Sequence, residues 1–335
     1  MFLSPCCRAV NRVAAGSIAV APRRLARIDA LLLLMTLIWG TNYAIVKHAF
    51  RFIDPQAFNA VRMIIASIVF LGVMIVIRRL PPVRRGEGSL ASIFYTPSPI
   101  TGRDWVALAA LGMVGQCLYQ YTFAAGLDQT SVANAALITA AAPVLIGLAS
   151  GASGEGRIGA AHWLGASLSL AGIYIVVGPG LSVGGTTLRG DLTMFAAVCC
   201  WALYTLGSRR LMARHSPVAV TGLSMAVGTA LYVPGVLRHL RRVEWNAVDG
   251  MTWLTVVYSA LFSLCVAYTI WYAAVREIGS ARTSVYSNLV PLVAMATAVV
   301  VLDEPLGVRK VAGAAAVLIG VALTRVKTLT PNPEV

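Results

Sequence analysis

The sequence is poor in charge, and acidic residues are especially few. Asp, Glu, Lys and Arg together make up 12% of the 335 residues, and only 13 residues are acidic. Ordinary soluble domains contain about 25% charged residues, which cover their surface. Because 58% of the residues are hydrophobic, the composition excludes a typical soluble protein and favours a protein embedded in lipid.

The sequence also lacks the side-chain clusters of metal sites and nucleophilic active sites. No cysteine pair has metal-ligand spacing with histidine partners, and none falls in a predicted outer loop where a disulfide forms. No glycine-rich loop for nucleotide phosphates is present. We therefore expect no metal, no cofactor, no disulfide and no direct drive by ATP. The histidines, scattered among loops and span ends, are His48, His162, His215 and His239, and the cysteines are Cys6, Cys7, Cys117, Cys199, Cys200 and Cys265.

Carboxylates are absent from the middle of every predicted membrane span. A proton-coupled exporter of cations needs a carboxylate buried in the membrane, so this absence argues against cationic substrates. The acidic residues near the spans all lie at predicted span ends and are Asp29, Asp54, Asp104, Asp128, Asp191, Asp303 and Glu304.

Ten apolar runs of about 20 residues recur along the chain, and each is long enough to cross a hydrocarbon core. They are helices, because backbone polar groups in lipid need partners within the segment or in a closed barrel, and these runs are too long and apolar for barrel strands. The sequence therefore predicts an all-α membrane protein with ten transmembrane helices. The predicted spans are 29–47, 56–77, 104–123, 130–151, 160–178, 191–208, 217–237, 251–275, 282–302 and 308–326.

The two halves of the chain repeat each other. The register between them changes once, from 162 to 148 residues, so the first copy carries an insertion of about 14 residues between Pro55 and Trp105. Duplicated membrane architectures are typical of secondary transporters. The pairs 162 residues apart are Asp29 and Asp191, Trp39 and Trp201, Lys47 and Arg209, and Pro55 and Pro217. The pairs 148 residues apart are Trp105 and Trp253, Pro143 and Pro291, Glu155 and Asp303, Gly165 and Gly313, and Gly172 and Gly320.

The basic residues orient the predicted helices. The net charge of +14 lies in loops between spans rather than on one basic surface, so we expect no nucleic-acid partner. With the N-terminus in the cytoplasm, 18 Lys and Arg residues lie on the cytoplasmic side and 8 on the other. This bias predicts cytoplasmic termini. Because each copy has five helices, an odd number, the two repeats are inverted relative to each other.

These features divide the chain into five parts. Residues 1–28 form a basic cytoplasmic tail, although residues 1–27 have the composition of a transit peptide and leave open whether they belong to the native protein. Residues 29–178 form the first five-helix repeat and residues 191–326 the second. A linker rich in Gly and Pro, residues 179–190, joins them, and residues 327–335 form a second cytoplasmic tail.

Polar and aromatic residues recur on single faces of several predicted helices. In the first helix Trp39, Asn42 and Tyr43 share one face through their i, i+3 and i+4 spacing. Polar groups are costly in lipid, so these faces indicate a central cavity; the alternative is hydrogen bonding between helices, with aromatic belts at the interfaces. The other candidate binding residues are Gln116, Tyr119 and Gln120 in the third helix, Trp201 and Tyr204 in the sixth, Tyr268 and Tyr272 in the eighth, and Asn288 in the ninth.

Arg62 is the one Lys or Arg residue that lies deep inside a predicted span, away from the span ends. It lies seven residues after Pro55, about 10 Å along the second helix. An arginine in a membrane calls for a partner, and the functional interpretation is an anionic group on a substrate. The alternatives are an arginine that reaches the outer interface or one that pairs with Asp54.

Glycine and proline occur at matching positions of the two repeats. Gly165 and Gly172 are two turns apart in the fifth helix, and Gly313 and Gly320 are two turns apart in the tenth. We interpret these four as helix-packing residues, because small residues let helix backbones approach closely. The matching residues Pro143 and Pro291 lie inside predicted helices and are expected to kink them.

The ordered motifs resemble the drug/metabolite transporter superfamily, and specifically its ten-helix EamA-type transporters. The resemblance covers about residues 29–326, and it implies two tandem units, cytoplasmic termini, a central substrate cavity and metabolite export from a bacterium. The corner at 151–156 departs from the acidic corner usual in the family. The matching residues are Trp39, Gly40, Asn42, Pro55, Phe58, Arg62, Thr130, Ser131, Ala135, Pro143, Gly165 and Gly172 in the first repeat, and Gly190, Asp191, Trp201, Ala202, Pro291, Glu304, Pro305, Gly313 and Gly320 in the second.

The resulting hypothesis is a non-enzymatic secondary transporter in the plasma membrane, the inner membrane of a bacterium, that exports small polar metabolites such as amino acids or their derivatives by alternating access. Its partners are a small-molecule substrate and the lipid bilayer, with a homodimer left open. A nucleotide-sugar or phosphate-ester carrier of the same fold is the first alternative. A membrane-embedded enzyme acting on lipids is the alternative from another class. Substrate, coupling ion and direction stay undetermined.

Overall fold

The computed structural model describes residues 22–79, 91–95, 98–142, 144–146, 160–177, 186–278, 283, 286–287 and 289–323. Every regular element in these ranges is helical, which confirms the predicted all-α class. Helices α1 to α5 are Pro22–Ala49, Pro55–Arg79, Gly102–Gln129, Val132–Thr139 (continuing to Ile146) and Ala160–Val177. Helices α6 to α10 are Thr186–Met212, Pro217–Gly235, Gly250–Ile278, Val290–Leu302 and Val308–Leu323.

Many of the described helices are long and apolar, as membrane spans are. Five are long and apolar enough to cross a membrane, namely Arg27–Ala49, Pro55–Arg79, Leu188–Met212, Pro217–Gly235 and Gly250–Glu277. Two shorter apolar helices, Val132–Ile146 and Val290–Leu302, have the same character. Together with α3, α5 and α10, these seven make up the ten helices of a multi-pass membrane protein.

Side-chain caps begin the helices at matching positions of the two repeats. Asp54 accepts from the backbone N–H groups of Gln56 and Ala57 at the start of α2, and Ser216, 162 residues later, accepts from Ala219 N–H at the start of α7. Thr101 and Asp249, 148 residues apart, cap α3 and α8. Such caps satisfy N–H groups that have no partner inside the helix.

The repeats interlock rather than lie side by side. Helix α1 packs on α8 and α9, and the equivalent α6 packs on α3 and α4. Helices α2 and α7 pack on each other, and α5 packs along α10. Each helix therefore buries much of its surface against the other repeat, so neither repeat has a complete core alone.

An approximate two-fold axis relates the repeats, because equivalent residues meet across it. The hydroxyls of Ser67 and Thr229, 162 residues apart, lie 2.8 Å from each other. The rings of Trp39 and Trp201, also 162 residues apart, have centroids 6.0 Å apart. Ser169 donates to the carbonyl of Val317, 148 residues later. Residues that the sequence offsets of 162 and 148 identify as equivalent are thus in contact in the structure.

Glycines make the crossing of α5 and α10 close. A Cβ atom built on Gly172 lies 2.8 Å from the carbonyl oxygen of Gly313, and one built on Gly320 lies 2.6 Å from that of Gly165. These distances are too short for any side chain. The crossing thus depends on backbone contact between two pairs of equivalent glycines.

Helices α3 and α8 each contain a π-helical segment that the sequence pattern did not predict. The segments are Gly112–Leu118 and Ser259–Val266, and with the 148-residue offset they occupy equivalent positions. A π turn adds a residue to the helix and changes the direction of the faces before and after it. The α-helical spacing used on the sequence therefore fails across these segments.

Pro291 directly follows an interruption in the helix, because residues 286–287 are helical and Leu289 lies in a turn. The helix α9 begins at Val290, and Pro291 lies in its first turn, where the missing N–H group needs no helical partner. Helix α1 also begins earlier than predicted, at Pro22 rather than residue 29. Pro143, Glu155 and most of the linker lie outside the described residues.

The glycine crossing gives a first testable outcome. Gly320→Ala should lower the thermal midpoint of the purified protein and the yield of monodisperse material, because the added methyl group must push α5 and α10 apart at a cost of about 1–3 kcal/mol. The matched control is Gly72→Ala in α2, where no atom lies within 4 Å of the added carbon. Equal behaviour of the two variants would contradict the close-packing role.

Candidate functional site

A cavity of about 90 Å³ lies between the repeats, large enough to hold several water molecules. Helices α1, α2, α3 and α4 supply one part of its wall and α6, α8 and α9 the other. It therefore lies on the interface that the interlocked repeats create. The described lining consists of Trp39, Asn42, Tyr43, Arg62, Tyr119, Gln120, Phe123, Ala136, Thr139, Ala140, Ala142, Ile146, Trp201, Ser263, Leu264, Tyr268, Trp271, Ser287, Val290 and Pro291.

Aromatic rings centred on Trp39 form much of the wall. Its ring contacts those of Trp201, Tyr268 and Trp271 at centroid distances of 6.0, 5.9 and 5.6 Å. Its indole Nε1 donates to the carbonyl of Ser263 at 3.1 Å. Each aromatic pair contributes about 0.5–1.5 kcal/mol beyond burial, so the cluster holds α1, α6 and α8 together while presenting ring surface to the cavity.

Arg62 is 2% exposed and is held by neutral acceptors from three helices. Its Nε donates to Asn59 Oδ1 at 2.6 Å, its Nη1 to Ser259 Oγ at 2.9 Å and its Nη2 to Gln120 Oε1 at 2.8 Å. The ring centroids of Phe58 and Phe123 each lie 5.9 Å from the guanidinium carbon. The arginine is thus fixed at the cavity wall without a carboxylate partner among the described residues.

Neither sequence-based alternative for Arg62 agrees with this geometry. The buried guanidinium does not reach the interface, and Asp54 instead caps α2 and accepts from His239 Nδ1 at 2.9 Å. Burying a charge is costly, and dipoles alone offset that cost only in part. Among the described residues, no carboxylate balances the positive charge of Arg62 at the cavity.

Several buried polar atoms on lining residues have no hydrogen-bond partner among the described residues. They are Asn42 Oδ1, Gln120 Nε2 and Trp271 Nε1. Buried polar groups are nearly always satisfied in folded proteins, so unsatisfied atoms beside a cavity indicate groups that bind something inside it.

The structure brings eight of the twelve candidate binding residues to the cavity: Trp39, Asn42, Tyr43, Arg62, Tyr119, Gln120, Trp201 and Tyr268. Three others are buried behind the wall. Tyr204 bonds to Ser224 at 3.0 Å and packs on Tyr272, with ring centroids 5.9 Å apart. Gln116 lies inside a π segment and is fully buried. Asn288 lies outside the described residues.

The sequence interpretation missed Asn59 and Ser259, which hold Arg62. Asn59 lies three residues before Arg62 on the same helix face, a signal that could have identified it. Ser259 is 197 residues from Arg62, and no local pattern connects the two. Phe123, Thr139 and Trp271 also line the cavity.

Polar contacts join the repeats at the end of the bundle where α1 ends and α4 begins. Lys47 Nζ donates to the carbonyls of Leu127, at 2.9 Å, and Thr130. The Thr130 hydroxyl donates to Asp191 Oδ1, which also accepts from Asn134 Nδ2 at 3.4 Å. These bonds connect α1, α3, α4 and α6 and hold this end of the interface together.

Comparison with known proteins identifies a family. The sequence model of the EamA-like transporter family matches residues 26–178 and 188–326. A solved crystal structure superposes with a TM-score of 0.61 at 22% identity, over 89% of this chain and 97% of its own. At that identity the likeness shows the fold alone.

Curated relatives match over most of the chain. The uncharacterized transporter YyaM of Bacillus subtilis (strain 168) is 26% identical over 298 residues, covering 87% of this chain and 91% of its own. A protein of Salmonella typhimurium named a probable amino-acid metabolite efflux pump is 23% identical over 299 residues, covering 87% and 92%. An uncharacterized transporter of Archaeoglobus fulgidus is 26% identical over 304 residues, covering 89% and 96%.

The support of Arg62 can be tested by removing one acceptor. Gln120→Leu leaves Nη2 of Arg62 without its partner at 2.8 Å, and an unsatisfied charged donor costs about 1–3 kcal/mol or more. We expect a lower thermal midpoint than for Gln129→Leu, a change of the same type at the partly buried end of α3. Equal midpoints would show that Gln120 does not hold the arginine.

Proposed function

Because this chain belongs to the EamA-like transporter family and is a multi-pass membrane transporter, we propose that it exports small polar metabolites by secondary transport. The observation that carries this proposal is the buried Arg62 in the wall of a cavity between two interlocked repeats. Binding near the middle of the bundle, at the interface of repeats, is the arrangement that alternating access requires.

Arg62 has the donors to bind an anionic group of the substrate. A guanidinium has five N–H groups, and three of those of Arg62 have acceptors among the described residues. One N–H remains on each terminal nitrogen, and such a pair can bind a carboxylate in bidentate fashion. A hydrogen bond to a charged group is worth about 1.5–3 kcal/mol.

The same packing supports alternating access as the proposed mechanism. The two repeats would rock about the cavity, so that the contacts among Lys47, Thr130, Asn134 and Asp191 break when that end opens. These contacts are few and polar, and water can replace them on opening. The crossing of α5 and α10 would keep the repeats attached during the motion.

The metabolite class is supported by one relative's name and by the cavity. The relative from Salmonella typhimurium is named a probable amino-acid metabolite efflux pump, and the carboxylate that amino acids share with their derivatives fits a small cavity whose described lining holds one cation. A nucleotide-sugar or phosphate-ester carrier would be expected to place more basic residues around its ligand. Transporter names among the relatives argue against the lipid-modifying enzyme.

We place the protein in the plasma membrane with both termini in the cytoplasm, on the basis of the 18-to-8 bias of Lys and Arg. A cytoplasm-dependent reporter fused after Val335 should be active. The same reporter inserted after Ala247, between α7 and α8, should be inactive. Activity of both fusions, or of neither, would contradict this orientation.

The transport role of Arg62 is tested by comparing metabolites released from cells that express wild-type or variant protein. Arg62→Ala should abolish the difference in released metabolites that the wild-type protein causes, at unchanged protein level. Arg62→Lys should restore it in part, because an ammonium cannot make the bidentate fork. Arg241→Ala removes an exposed arginine outside the cavity and should behave as wild type. Full release by a normally expressed Arg62→Ala protein would contradict the proposal.

A further inference from the structure

Arg62, the one cation in the described lining of the cavity, has no cationic counterpart at the equivalent position of the second repeat. Arg62 lies 162 residues before Ser224, the offset that relates α2 to α7. Gln120, which accepts from Arg62, lies 148 residues before Tyr268. Ser224 is fully buried and bonds to the hydroxyl of Tyr204. The two repeats are related by an approximate two-fold axis, and both line the cavity with aromatic rings, but in the described lining the positive charge comes from the first repeat alone.

Unpartnered N–H groups outnumber unpartnered oxygens among the buried polar atoms of the described lining. Two N–H groups of Arg62 have no acceptor among the described residues, and neither do Gln120 Nε2 and Trp271 Nε1. Among the described lining residues, Asn42 Oδ1 is the one buried side-chain oxygen without a hydrogen-bond partner. An environment with more free N–H groups than free oxygens stabilises an acceptor that carries negative charge.

No carboxylate in the described lining can balance a positive charge on a ligand. At the nearby end of the interface, the carboxylate of Asp191 is bonded to Thr130 and Asn134. An ammonium group moved from water into this cavity would lose its hydration without gaining a counter-charge. Aromatic faces attract cations, but Arg62 beside them repels a second positive charge.

We infer that the ligand of this cavity is a monoanion, a carboxylate attached to an apolar or aromatic body, without an ammonium group. The carboxylate binds Arg62 and the body lies against the rings of Trp39, Trp201 and Tyr268. One guanidinium balances one negative charge, so a phosphate dianion is a poorer match. This inference rests on the proposed function, because it names the substrate class of the same site.

The test compares ligands that share a phenyl group and differ in charge. Calorimetry on the purified full-length protein in detergent, at pH 8, measures binding of phenylacetate, phenylalanine, phenethylamine and phenyl phosphate. Phenylacetate should bind at least tenfold more tightly than each of the others. Tighter or comparable binding of phenylalanine or phenethylamine would overturn the inference, as would tighter binding of phenyl phosphate or no binding of phenylacetate.

Variants assign the binding to the cavity. Arg62→Ala should weaken phenylacetate binding at least tenfold, and Arg241→Ala should leave it unchanged. Gln120→Glu places a carboxylate beside the guanidinium and should also weaken phenylacetate binding at least tenfold, while giving Arg62 a partner that favours folding. Undiminished binding by a folded Gln120→Glu protein would contradict the charge argument.

Flux into liposomes separates this inference from the proposed function. Arg62-dependent binding of phenylacetate without flux of any ligand would leave the ligand class intact and contradict transport. Flux of phenylalanine that exceeds flux of phenylacetate would support transport and overturn the ligand class.

Discussion

The need to satisfy a buried guanidinium without a carboxylate from the described residues organises the centre of this protein. Arg62 of α2 is held by Asn59 one turn away, by Gln120 of α3 and by Ser259 of α8. In a low-dielectric interior each of these bonds is stronger than in water, and each missing one is more costly. The arginine therefore ties together helices of both repeats at the wall of the cavity, while its remaining N–H groups stay available to a ligand.

Duplication explains how a site of this kind forms from helices with little amphipathic character. Equivalent residues meet across the approximate two-fold axis, as Ser67 meets Thr229 and Trp39 meets Trp201. The repeats interlock because each helix finds its partners in the other copy. Sequence differences between the copies, such as Arg62 at the position equivalent to Ser224, then make the cavity asymmetric in charge although the helices around it are arranged symmetrically.

The regular i, i+3 and i+4 spacing identified Trp39, Asn42 and Tyr43, because α1 is an uninterrupted α-helix through this region. The same reasoning placed Gln116 in the cavity wrongly, since it lies in a π segment where that spacing does not apply. It also grouped Tyr204 with Trp201, although Tyr204 turns to Ser224 of α7 and lies behind the wall. The bonds of Arg62 to Gln120 and Ser259 span 58 and 197 residues, and no pattern within one helix contains them.

The sequence by itself determined the membrane class, the ten helices, the duplication and the singular position of Arg62. Hydropathy, charge and the spacing between the two repeats can be read directly from the order of residues in the chain. Long apolar runs in lipid must be helical, because their backbone polar groups find hydrogen-bond partners within the segment. Only the tertiary structure decided which face of each helix meets which neighbour. The π turns of α3 and α8, the glycine crossing of α5 and α10 and the acceptors of Arg62 all arise from contacts between helices far apart in the chain.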